Sequence, residues 1–242
     1  MKKINLFCIT YAGGSASVYV KWKDFLNPMI NLRPVELAGR GSRFKHPFYH
    51  SISDAVEDIF RMIEPDCQQQ DYALYGHSMG CVIVYELVYK ILKLKCQPPL
   101  HVFFSGRYPP FMEKKEKKLH NLPDDEFISE LKKFNGITQE VIENKELLEI
   151  ILTICRNDYR ILENYKSVSR EKLNIDLSIM HGKYDESINI SDLDEWQKAT
   201  QKSCRIFQFS GGHFFIRDCM SEVVNIVNQN LLPYLSKSLD LK

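Results

Sequence analysis

The chain has 242 residues, of which 44% are hydrophobic and 26% charged. That size and balance suit one domain with one sizeable core and exclude a disordered segment, a coiled coil or a disulfide-rich miniature fold. With 32 basic and 31 acidic residues the formal net charge is +1, so no long-range field draws the protein to nucleic acid or to an anionic membrane surface. Its 7 cysteines show no C-x-x-C spacing and read as reduced thiols, Cys8 and Cys81 as small apolar packing groups, not as a disulfide framework or a metal site.

In chain order, Met1-Lys2-Lys3 leads straight into the apolar stretch 4–9, too short for a signal-peptide core or a membrane span. A cytoplasmic monomer with no membrane partner is expected. Short apolar, β-rich runs recur at 4–10, 32–37, 72–75, 101–105, 175–181 and 205–209. Most are apolar on both faces, as buried parallel strands are, and they alternate with helical patterns, so an α/β fold with a mostly parallel sheet follows. Tyr19, Trp22, Phe25 and Leu26 predict a short amphipathic helix after Gly13-Gly14-Ser15; 51–63, 79–94 and 221–232 predict three more, that at 79–94 apolar nearly all round.

The segment between the fourth and fifth runs is longer than a crossover needs. Residues 110–170 therefore read as a helical insertion within a single 1–242 domain. Pro123-Asp124-Asp125-Glu126 starts one helix, Gly136 stops it, and a longer one spans 145–165. Such helices over the carboxyl edge of the sheet would act as a lid; the plainer alternative is inert packing on one side. The basic run 114–118, broken by Glu116, reads as a solvated face.

Chemistry enters with Gly76-His77-Ser78-Met79-Gly80, a G-x-S-x-G pattern set between a strand run and a helix run. That is the context of the nucleophile elbow of an α/β-hydrolase, with Ser78 as nucleophile. Serine needs a base, and the base an orienting acid, in the chain order Ser, acid, His. His213, in the glycine-rich loop after the last run, is the expected base; His181 and His77 are the rivals. Asp185 directly follows the fifth run and is the expected acid, with Glu186, Asp192, Asp194 and Asp176 as alternatives. The oxyanion calls for two backbone donors, assigned to the amides of Met79 and Ala12. A dinucleotide cradle at Gly13-Gly14 is the competing reading, but the spacing lacks G-x-G-x-x-G.

Taken together, these motifs resemble the type II, or editing, thioesterases that accompany nonribosomal peptide and polyketide synthases. The likeness runs nearly end to end: Tyr11-Ala12-Gly13-Gly14-Ser15 with Trp22; Gly39-Arg40-Gly41 with Arg43; the Ser78 elbow; Ser105-Gly106-Arg107 with Pro109; Leu122-Pro123-Asp124; Asn144-Lys145-Glu146-Leu147; Asp158-Tyr159 with Tyr165; and Gly212-His213-Phe214-Phe215. The chain departs from the family at Ala38, where proline is usual, and in an acid loop reading Gly182-Lys183-Tyr184-Asp185. The place where synthase-embedded thioesterases carry their acid holds Gly106-Arg107-Tyr108, without a carboxylate. The resemblance implies a free-standing enzyme that hydrolyses acyl groups from the phosphopantetheine arm of carrier proteins through an acyl-serine, with no metal or cofactor. Arg40 or Arg43 would then meet the pantetheine phosphate, unless both are solvated loop arginines. A carboxylesterase acting on small oxygen esters, and a catalytically dead subunit of a synthase, remain the competing readings, because fold and triad do not choose a substrate.

Overall fold

The computed structural model describes residues 3–112, 114 and 117–237. Lys115 and Glu116 of the basic run lie outside the described residues, as do Met1 and Lys2; Lys114 pairs with Asp192 and Lys117 with Glu130. The chain forms β1 (Ile4–Ile9), a 3-10 segment (Ala16–Asp24), β2 (Ile30–Val35), α1 (Ile52–Gln69), β3 (Tyr72–His77), α2 (Met79–Lys93) and β4 (His101–Ser105). The connection to the next strand carries a 3-10 turn (Leu119–Asn121), α3 (Asp124–Lys133), α4 (Gln139–Glu143) and α5 (Lys145–Glu163). There follow β5 (Asp176–Gly182), α6 (Ile190–Asp194), β6 (Cys204–Phe209), α7 (Phe215–Asp218) and α8 (Met220–Lys237). Among the described residues no helix is long and apolar enough to cross a membrane.

All six strands run parallel in the order β2-β1-β3-β4-β5-β6. Their side chains alternate between two cores, as the pleat requires. Phe7, Ile9, Leu74 and Phe104 pack on the face covered by α1 and α2. Leu6, Cys8, Tyr75 and Phe103 pack on the other face, with Trp22 and with Val223, Val227 and Leu231 of α8. A third, smaller cluster joins Leu119, Phe127, Leu131, Leu152 and Cys155 within the 110–170 connection. Strand succession reverses between β1 and β3, which opens a crevice beyond the carboxyl ends of the central strands.

Several elements differ from their expected form. β2 begins two residues early and takes in Pro34, which an edge strand tolerates because the missing N–H can face outward. Residues 16–24 are 3-10 rather than α; α1 runs past the expected 51–63 to Gln69, with Pro65 inside it; and the short α4 and α7 have no counterpart among the expected helices.

His101 and Ser178 pair at 2.8 Å on β4 and β5, buried in the sheet at the end of β4 away from Ser105. Burial pushes the His101 imidazole down to about 4. The unfolded chain thus takes up this proton near pH 6.5 and the folded chain does not. The stabilisation is complete above that pH and is lost as pH falls toward 4, by about 3 kcal/mol in all. His101→Gln should flatten the fall in unfolding free energy between pH 7 and pH 4.5, measured by urea titration; parallel curves for variant and parent would refute this.

Candidate active site

Ser78 joins β3 to α2 with φ 54° and ψ −113°, a conformation non-glycine residues seldom adopt. The two glycines of the motif explain why the turn is held. A Cβ on Gly76 would run into the Gly80 carbonyl, and one on Gly80 into the Ile9 and Thr10 carbonyls. Only bare backbone lets the start of α2 lie this close to β1 and β3. The turn is pinned further by the Ser78 N–H, which donates to the Ser105 carbonyl at 2.8 Å, and by the Cys81 N–H, which donates to the Ser78 carbonyl at 2.9 Å.

His213 lies on the loop after β6, with Nε2 3.0 Å from Ser78 Oγ and Nδ1 2.7 Å from Asp185 Oδ2. The other carboxylate oxygen of Asp185 accepts from the Ser187 N–H at 3.1 Å and the Ser187 hydroxyl at 2.5 Å. Burial pushes the Asp185 carboxyl up, but the His213 contact and the two Ser187 donors outweigh it and hold the group below its usual range. The acid loop and the histidine loop fit closely: the Tyr184 N–H donates to the Gly211 carbonyl at 2.8 Å, and a Cβ on Gly182 would meet the Gly211 and Gly212 carbonyls.

None of the rival residues takes the place of His213 or Asp185 in this chain of contacts. His77 is fully buried, shares a 2.9 Å hydrogen bond with Ser105 Oγ, and is kept neutral by burial and by its neighbour His213. His181 ends β5, buried, with its pKa lowered by desolvation. Asp192 forms the capping box of α6 with Asn189, Glu186 and Asp194 are exposed, and Asp176 bonds Ser203 and Tyr234 at the far end of β5.

Of the loop after β1, the Gly13 N–H donates to Asp158 Oδ2 at 2.7 Å and the Gly14 N–H to the Tyr11 carbonyl at 3.0 Å. Among the described residues the Ala12 amide has no such partner. Met79 opens α2, so its amide is one of those a helix leaves without an internal acceptor. Ala12, Ser78 and His213 line one cavity of about 300 Å³, whose wall is largely apolar and includes Leu131, Phe134 and Leu162 from the 110–170 connection. Cys155 also lines it, but burial pushes that thiol up to about 12, so it offers no thiolate nucleophile.

Arg40 and Arg43, one of which was expected to meet the pantetheine phosphate, are each engaged by an acid. Arg40 is 2% exposed and forms a bidentate pair with Asp158 at 2.5 and 2.7 Å. Arg43 is held by Asp58 at 2.6 and 3.1 Å and by the Tyr49 hydroxyl. Neither lines the cavity, and each guanidinium already has its counter-charge, which a pantetheine phosphate would have to displace. The Arg40–Asp158 pair itself went unforeseen, since its members lie 118 positions apart; the Gly39-Arg40-Gly41 and Asp158-Tyr159 islands were the only signals of it.

A parallel sheet flanked by helices, with a strained serine turn after its central strand and a histidine and an aspartate on the loops beyond, is the α/β-hydrolase architecture. Within that class the chain belongs to the thioesterase domain family, whose model matches residues 4–231; it is a thioester hydrolase. ClbQ from the colibactin NRPS/PKS pathway is similar in structure, with a TM-score of 0.91 and 37% identity over 99% of both chains. The gramicidin S biosynthesis protein GrsT of Aneurinibacillus migulanus is 30% identical over 95% of this chain and 89% of its own. The protein named linear gramicidin dehydrogenase LgrE, of Brevibacillus parabrevis, is 32% identical over 96% of this chain and 89% of its own. The redox activity in that name finds no counterpart in the glycine spacing of this chain.

If close backbone approach is what holds the elbow, Gly80→Ala should cost more than about 2 kcal/mol of unfolding free energy. Urea denaturation with unchanged stability would show that α2 can move away at little cost.

Proposed function

We propose that the protein removes acyl groups from the phosphopantetheine arm of carrier proteins, clearing aberrant or misprimed chains in nonribosomal peptide or polyketide biosynthesis. In this reading Ser78 is the nucleophile, His213 the general base and Asp185 the group that orients it. The observation that carries it is the continuous Ser78–His213–Asp185 hydrogen-bond chain beside a largely apolar cavity of acyl-chain size.

His213 Nε2 takes the Ser78 proton as Oγ attacks the thioester carbonyl carbon, and the Met79 and Ala12 amides receive the developing oxyanion. Collapse breaks the C–S bond. The departing sulfur takes the proton from His213, leaving an acyl-serine. A thiol with a pKa near 8.5 is a better leaving group than an alkoxide. Water then gives a proton to His213 as it attacks, and the second collapse releases the carboxylic acid and returns that proton to Ser78 Oγ. Asp185 stays ionised throughout, which its depressed pKa favours, and stabilises the imidazolium.

The pathway named for ClbQ and the biosynthetic role named for GrsT support the carrier-protein substrate. We read the 110–170 connection as a lid within a single 1–242 domain, because it supplies much of the cavity wall, chiefly from α3, α5 and the residues flanking them, and the protein as a cytoplasmic monomer that meets its carrier protein transiently.

A panel of acylated carrier proteins tests the reading. Ser78→Ala should abolish release, and Asp185→Asn should slow it by about 10⁴-fold. If a p-nitrophenyl ester is turned over far faster than any acyl-carrier protein under matched conditions, the protein is an oxygen esterase instead.

A further inference from the structure

Asp158 and Arg40 are the most deeply buried opposite charges in the described structure, at 0% and 2% exposure, and the steps above use neither. Burial of a charge pair is seldom a gain in stability over a well-packed apolar pair, so the placement of these two calls for another account. Asp158 Oδ2 accepts both from Arg40 and from the Gly13 N–H, and Arg40 also donates to the Gly14 carbonyl at 3.2 Å. One turn earlier on α5, Cys155 Sγ lies where a Cβ on Gly13 would fall. The pair thus clamps the loop after β1 from the side of the inserted helices.

Peptide planarity turns this clamp into a statement about Ala12. In a trans peptide the C=O and N–H point in opposite directions. The Gly14 N–H bond to the Tyr11 carbonyl therefore directs the Ala12 N–H from the opposite edge of the Tyr11–Ala12 peptide plane. The Asp158 bond to the Gly13 N–H fixes the plane on the other side of Ala12. Both dihedrals of Ala12 are then set by groups outside it. We infer that Asp158 and Arg40 are positioning residues for the Ala12 oxyanion donor, with Arg40 also cancelling a carboxylate charge that would otherwise oppose the oxyanion. The same bonds couple α5, and through it the inserted helices, to the machinery of acyl transfer.

The inference rests on acyl transfer through Ser78 but not on the carrier-protein substrate, so it is tested with p-nitrophenyl acetate and a small trifluoromethyl ketone, which forms a hemiketal oxyanion on the serine. The parent enzyme serves as control: if it neither hydrolyses the ester nor binds the ketone, the Ser78 reading fails with it. The variant Arg40→Met/Asp158→Leu removes both charges together and should melt close to the parent. Its kcat should nonetheless fall by about 10- to 100-fold with little change in KM, and the ketone should bind more weakly by a similar factor. A role confined to stability predicts that kcat and ketone affinity return with the melting temperature, and that result overturns the inference. Should the double variant not fold, Arg40→Lys keeps the buried charges paired but not the bidentate fork or the Gly14 contact, and decides the matter: a loss in kcat and ketone affinity at unchanged KM supports the clamp, and parent values of both refute it.

Discussion

The site depends on one close approach, that of the first turn of α2 to the carboxyl ends of β1 and β3. It is possible only where Gly76 and Gly80 present bare backbone, and it forces Ser78 into positive φ. From that constraint the remaining geometry follows. The serine stands at the turn between strand and helix, α2 begins at Met79, and β1 ends against Gly80 so that its following loop lines the same cavity as the serine. The strained backbone at Ser78 is tethered by the Ser105 carbonyl on β4, which accepts from the Ser78 N–H.

Polar groups near this turn are either paired across elements or kept neutral. Asp185 ties the loop after β5 to the histidine loop, Asp158 ties α5 to the loop after β1, and Arg43 with Asp58 and Tyr49 ties the segment after β2 to α1. Each joins segments distant in sequence that the apolar cores alone would leave free to slide. His77, pressed between Tyr11 and His213, is kept uncharged by burial, so no second cation competes for the proton that the proposed mechanism moves.

What could be read from the sequence alone was whatever depends on local pattern. Buried parallel strands announce themselves as apolar runs, and five of the six begin within one residue of their expected start; the edge strand β2 starts two residues early because its half-exposed residues blur the pattern around Pro34. That Ser78, His213 and Asp185 come within hydrogen-bond reach could be expected because each follows a strand closely, where chain order limits the choice. The pairing of Arg40 has no local signature. A guanidinium on a glycine-flanked loop looks solvent-exposed until the fold brings Asp158 to it from the inserted helices. The 3-10 form of residues 16–24 was equally hidden, since an apolar spacing of three or four residues suits either helix.

The central claim is that acyl transfer passes through Ser78 at the end of a histidine and aspartate chain. The most direct measurement is peptide mass spectrometry after rapid acid quench of the enzyme mixed with an acylated carrier protein. The account predicts that the acyl mass appears on the peptide containing Ser78, and that it is absent from the Ser78→Ala enzyme. Acyl release with the label on another residue, or full release by Ser78→Ala, would contradict it.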